Sequence, residues 1–265
     1  MSPAAKTGAN WQDLRVRVLS AIVMVVVGGA AVWHGGIWLQ LLCIIAAGLM
    51  LWELATMMGC GRRSIGLAGV AALLEAVAVF HPTLITLAGL GLVPAIGAFL
   101  VKRDHFVFFA YGLAVLVVPH VLVSFRTELG AIWIGWLILV VAVTDIAGYF
   151  AGRAIGGPKF WPSISPKKTW SGTVAGWIGA ALVGGAFAHW TTAGPELVLI
   201  SAVAALASQL GDIAESAIKR RMGAKDSSHL IPGHGGLLDR FDGLIGATLM
   251  MVLVTEIIFV PILGL

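Results

Sequence analysis

Residues 131–151 read AIWIGWLILVVAVTDIAGYFA, with Asp145 as their single charged residue. A helix needs about 20 predominantly apolar residues to cross the hydrocarbon of a bilayer. The stretch has that length and shows no alternation of apolar and polar residues, so it predicts a spanning helix rather than a half-buried strand. Moving outward in both directions, runs of the same kind recur with short polar gaps, at 17–33, 37–58, 64–80, 83–100, 106–125, 172–190, 196–215 and 243–263. With 131–151 they make nine expected spans.

Composition agrees. Hydrophobic residues are 59% of the chain and charged residues 11%, with a mean hydropathy of +0.96. That leaves too little polar surface for a water-soluble globule of this length. The 34 glycines favour close helix approach, and the alternation of an outer-membrane barrel is missing. The expected fold is therefore an all-α, polytopic integral membrane bundle. Two regions are expected: an N-terminal hydrophobic multi-span region, 1–130, and a C-terminal catalytic region, 131–265, with polar loops at 152–171 and 216–242. Basic residues before the first span resemble a signal-peptide flank, but the spans that follow make an uncleaved first helix sufficient.

Placing the N-terminus in the cytoplasm puts every Lys and Arg except Arg126 on the cytoplasmic side, as the positive-inside rule expects. Topology thus accounts for the net charge of +4. The basic residues lie scattered over loops without interleaved aromatic platforms, which argues against nucleic acid as a partner. On the inner face they would attract anionic lipid headgroups. Cys43 and Cys60 read as two reduced thiols, with neither a disulfide framework nor a metal site.

Acidic residues inside spans are costly and mark packing or function. Glu53 and Glu75 stand without basic neighbours in their own apolar segments, Glu256 lies within the last expected span, and all three read first as packing or cavity residues. Asp145 differs, because the loop RAIGGPKFWPSISPKKTWSG (153–172) follows it, and its glycines and prolines forbid a regular helix. Lys167, Lys168, Ser165, Thr169 and Ser171 give that loop cations and hydroxyls suited to phosphate. Alone, a lysine pair between spans more often only fixes topology.

The richest segment is SQLGDIAESAIKRRMGAKDSSHLIPGHGGLLDRFD, residues 208–242. If its first part continues the preceding span as a helix, Ser208, Asp212, Glu215 and Lys219 share one face. Lys225 and Asp226 then lead to His234, flanked by Gly233, Gly235 and Gly236, where backbone can approach a ligand closely. Asp239 and Asp242 share a face if a helix begins there, and with Asp212 they offer the oxygen ligands that Mg²⁺ takes. A solvated, salt-bridged loop would explain one such carboxylate. The whole density of charge, in a chain otherwise stripped of it, points to a site for a highly charged ligand.

The run SAIKRRMGAKDSSHLIPGHGGLLDRFD (216–242) resembles the signature of the phosphatidate cytidylyltransferase family, the CDP-diacylglycerol synthases. SQLGD, ISPKKTW and Asp145 followed by GYFAGR are similar to that family as well. Ser171 stands where the family pattern suggests an acid, and the Ser227-Ser228 pair is an uncommon choice. The resemblance implies transfer of a cytidylyl group from CTP to phosphatidate with a divalent metal, Mg²⁺, and a second cation as a further candidate. It implies metal ligands among Asp212, Asp239, Asp242 and Asp145. Catalytic roles fall to Lys219, Arg220, Lys225, Asp226, His234 and Arg240, and substrate contacts to Ser208, Ser216, Lys167, Lys168, Gly235 and Gly236. It further implies a homodimer in the bacterial inner membrane, with the site facing the cytoplasm and membrane lipid around it. Two other readings compete: a transporter for an anionic, phosphate-bearing solute, and a related CTP-dependent enzyme acting on another lipid. An odd number of spans and the lack of a repeated half count against the transporter.

Overall fold

The computed structural model describes residues 5–258. Ten helices run in order: α1 Ala5–His34, α2 Gly36–Met57, α3 Arg63–Phe80, α4 Leu84–Leu90, α5 Leu92–Leu100, α6 His105–Glu128, α7 Ala131–Ala154, α8 Trp170–Trp190, α9 Glu196–Arg221 and α10 Leu238–Ile258. Two short strands, β1 Lys159–Trp161 and β2 Ser165–Thr169, form one antiparallel hairpin between α7 and α8.

Seven of the described helices are long and apolar enough to cross a membrane: residues 14–34 of α1, then α2, α3, α6, α7, α8 and α9. The expected span at 83–100 is instead interrupted at Gly91 into α4 and α5. Pro94 has no amide hydrogen to give the carbonyl of Leu90, so a continuous helix loses a bond there. The last helix begins at Leu238, ahead of the expected 243, and so carries Asp239, Arg240 and Asp242 on its opening turns. Residues 259–263 of that expected span lie outside the described residues. The loop expected to be irregular at 152–171 also proves partly ordered, since α7 runs on to Ala154 and the hairpin fills most of the rest.

Packing divides the bundle into two groups that meet along α6, α7 and α10. In one, α2 lies against α3 and α6; in the other, α8 lies between α7 and α9, and α9 against α10. The α9–α10 crossing brings backbone against backbone. A Cβ on Gly246 would stand 2.1 Å from the Ala207 carbonyl oxygen, and one on Gly211 would stand 2.3 Å from that of Asp242. Only glycine permits such backbone contact. It sets Asp212, on α9, beside Asp242, on α10.

The polar connections gather at one end of the bundle. Lys102 packs on Gly59, and Arg17 on Gly233; Arg103 donates to the carbonyl of Arg221, and Arg221 pairs with Asp104 at 3.3 Å. At the opposite end Arg126 donates to the carbonyls of Val32 and Trp33 at 2.7 and 2.9 Å. Those are last-turn carbonyls of α1, which a cation satisfies well.

Candidate active site

As the spacing suggested, α9 carries Ser208, Asp212, Glu215 and Lys219 along one stripe and stays helical to Arg221. Lys219 is buried, 9% exposed. It pairs with Glu215 one turn back and with Asp239 Oδ1 at 2.6 Å. A buried ammonium keeps its charge only when such partners repay the lost hydration. Lys219 therefore does not stand free to meet a phosphate, as expected from sequence; it ties α9 to α10.

Asp239 is just as fully engaged. Its Oδ2 accepts from the Ser227 amide (2.8 Å), the Ser227 hydroxyl (2.9 Å) and the Gly236 amide (2.8 Å). Burial by itself would raise this carboxyl. The Lys219 ammonium and the two amides outweigh that and hold it below the usual carboxylate range. The side chain fixes the 222–237 connection, and its oxygens are spent before any metal is considered.

The glycines around His234 take a different part from the phosphate cradle expected of them. Gly235, at φ +83°, would place a Cβ 2.8 Å from Asp239 Oδ2. Gly236 would place one 2.0 Å from the Ser227 hydroxyl and 2.6 Å from Glu53 Oε1. These positions are glycine because two buried carboxylates lie against the backbone. His234 turns its Nδ1 to the Ser20 hydroxyl of α1 at 2.8 Å, and Ser20 also donates to the Pro232 carbonyl at 3.0 Å.

A second group surrounds a cavity of about 320 Å³ between α7, α8, α9 and the hairpin, lined by Asp145, Thr144, Lys167, Lys168, Thr173 and Gln209 among others. Lys168 reaches Asp212 Oδ2 at 2.5 Å, and Ser216 donates to Asp212 Oδ1 at 3.1 Å. The two loops singled out in the sequence thus meet at one carboxylate. Gln209 is anchored by the Trp177 indole at 3.0 Å and by donating to the Thr173 carbonyl at 3.3 Å. Ser171 donates to the Gly156 carbonyl at 2.5 Å, a contact that an ionised acid at that position could not make.

Arg220, Lys225, Asp226, Arg240 and Lys167 are exposed, and the four cations have no ion-pair partner among the described residues. Of the site residues expected from the sequence, they are the cations left without a counter-charge. Ser208 lies buried beneath Gly243 rather than open to a ligand. Its hydroxyl, Glu215 Oε1 and the Tyr111 hydroxyl are buried without a hydrogen-bond partner. Gln209, Ser20 and Tyr111 were not singled out in the sequence, and Glu53 read there only as a packing or cavity residue. For Glu53 the signal was present, an acid alone in an apolar run; for Tyr111 and Ser20 none was.

Among the described residues, no three acidic, His or Cys side chains stand close enough to hold an ion by themselves. Mg²⁺ commonly takes one or two carboxylates and completes its shell with substrate phosphates and water. Asp212 and Asp242, neighbours across the α9–α10 crossing, fit that pattern in donor chemistry and placement.

The profile of the cytidylyltransferase family matches residues 15–258. The chain belongs to that family. Over 248 residues it is 31% identical to a phosphatidate cytidylyltransferase of Staphylococcus saprophyticus, covering 86% of this chain and 94% of the relative. It is 47% identical over 129 residues to the enzyme of that name from Brucella suis, which is 48% of this chain and 47% of the relative. A Haemophilus influenzae phosphatidate cytidylyltransferase is 41% identical over 119 residues, 42% of this chain and 41% of the relative. Matches of the Brucella kind span about half the length of either protein.

Proposed function

We propose that this integral membrane protein transfers a cytidylyl group from CTP to phosphatidate, giving CDP-diacylglycerol and pyrophosphate for phospholipid synthesis. The observation that carries the reading is the convergence of the two polar segments on Asp212, beside a cavity lined by Lys167 and Lys168, in a chain of the cytidylyltransferase family. The names of its relatives support the choice of lipid.

The chemistry asks for no protein nucleophile. A phosphatidate oxygen attacks the α-phosphorus of CTP, and the bond from that phosphorus to the bridging oxygen breaks in line, its electron pair leaving with pyrophosphate. Two anions must therefore approach each other, so alignment and charge neutralisation supply the catalysis. Arg220, Lys225, Arg240 and Lys167 offset phosphate charge. Lys168 holds Asp212 in place, and the Lys219–Asp239 pair fixes the start of α10. Asp212 and Asp242 would hold Mg²⁺, which when bound neutralises phosphate oxygens; Asp145, on the cavity wall, is the candidate ligand of a second cation. Phosphate-bearing CTP places this end of the bundle in the cytoplasm, in agreement with the basic loops there, and in a bacterial cell the membrane would be the inner one. A homodimer belongs to the same proposal.

Incubating purified protein with labelled CTP or dCTP, crossed against phosphatidate and diacylglycerol, tests the reading. Label is expected in lipid only with phosphatidate. Label with diacylglycerol alone would identify a different lipid substrate, and no label in any lipid would remove the transferase reading.

A further inference from the structure

Glu53 takes no part in the reaction just described, yet both of its oxygens are bound by the site segment. It lies in α2, in the half of the chain that carries none of the motifs, and is 0% exposed. A charge there is very costly unless it is compensated. Among the described residues, its hydrogen-bond donors all come from residues 227–238. Oε1 accepts from the Leu237 amide at 2.9 Å and the Ser228 hydroxyl at 2.6 Å. Oε2 accepts from the Leu238 amide at 2.7 Å and more weakly from the Ser227 hydroxyl at 3.4 Å.

Leu237 and Leu238 open α10, whose first amides have no partner within the helix. A carboxylate at that end both satisfies them and complements the helix dipole. Here it is supplied by another helix rather than by a neighbour in sequence. Ser227 is the joint, because it also binds Asp239, which in turn binds Lys219. Gly236 closes the arrangement, since any side chain there would collide with Glu53. The Ser227-Ser228 pair, unusual for the family pattern, is thereby accounted for.

We infer that Glu53 is a positioning residue for the transfer reaction: from α2 it sets the place of the first turns of α10, and with them Arg240 and Asp242. The inference rests on the proposed activity, and one arm of its test does not.

The test uses the full chain in detergent, with initial rates measured against CTP at saturating phosphatidate. Glu53→Gln keeps the shape but turns an NH₂ toward backbone donors. Displacing α10 by a fraction of an ångström is expected to lower kcat about tenfold or more with a smaller change in KM for CTP, since Lys167 and Lys168 lie on the hairpin, outside the segment that Glu53 binds. Glu53→Asp, which keeps the charge one methylene short, should fall between Glu53→Gln and the parent. A Glu53→Gln protein that elutes as a folded species and turns over like the parent overturns the inference, as does a loss that appears only in KM. If Glu53→Gln does not fold, amide hydrogen exchange of the parent decides. Leu237 and Leu238 should exchange as slowly as the buried turns of α9, and rapid exchange there overturns the inference. Exchange needs no substrate, so a parent that makes no lipid product refutes the activity while the Glu53 contacts are still judged by their protection.

Discussion

Replacing Asp239 with Asn separates a latch from a metal ligand. In the structure one oxygen faces the Lys219 ammonium at 2.6 Å and the other accepts three donors at 2.8–2.9 Å. An asparagine has one oxygen for both tasks. Turned either way, its NH₂ meets a cation or a set of N–H and O–H donors. Removing one partner of a buried pair costs about 3–5 kcal/mol. Lys219 keeps Glu215, so the lower part of that range, about 3 kcal/mol, is the expected loss. For a chain of this length that corresponds to a fall in thermal midpoint of about 6–12 °C. The assay is thermal unfolding followed by tryptophan fluorescence in detergent, alongside cytidylyl transfer, each over a series of Mg²⁺ concentrations. The fall should be the same at every concentration, and lost turnover should not return with added Mg²⁺. Asp212→Asn should behave oppositely, keeping most stability and shifting half-maximal activity to higher Mg²⁺. An Asp239→Asn protein with a parental midpoint, whose turnover is restored by Mg²⁺, would refute the latch and make Asp239 a ligand.

Gly236→Ala forces a Cβ to within 2.0 Å of the Ser227 hydroxyl and should destabilise by about 1–3 kcal/mol, as overpacking does, lowering the thermal midpoint and turnover together. Gly246→Leu should part α9 from α10, whose backbones approach too closely there for any side chain; lost transfer and faster proteolysis at 222–237 are the measures. Asp239 also predicts an acid limit. Its carboxyl is held below the ordinary value of 3.8, so its contribution is complete above that value and is lost only as pH falls through the lowered one. Parent and Asp239→Asn midpoints should therefore stay apart at neutral pH and converge only below the ordinary carboxylate range. Lys168→Ala removes the 2.5 Å pair with Asp212 and should raise the KM for CTP several-fold with little change in midpoint, since exposed and half-exposed pairs contribute at most about 1 kcal/mol.

The spans, their basic flanks and the stripe on α9 were legible because each depends on residues near one another in the chain. Apolar run length gives the spanning helices, and the period of the helix puts Ser208, Asp212, Glu215 and Lys219 on one face. The break at Gly91 and the early start of α10 were less visible. The first turns on a missing amide at Pro94, within an otherwise apolar run. The second turns on a helix end whose cap, Glu53, lies 185 residues away from Leu238.

By itself, then, the sequence determined a helical membrane protein, the segments that hold its charges and the end of the bundle where they gather. Tertiary structure alone decided which of those charges neutralise one another. Lys219 and Asp239 look in sequence like reactive groups, and folding spends them on each other. Lys168 looks like a topology signal, and folding puts it on Asp212. Glu53 looks like a packing residue and becomes the cap of α10. The physical reason is that hydropathy and helical period act over a few residues, whereas the cost of burying a charge is met by whichever partner the fold brings within hydrogen-bond distance.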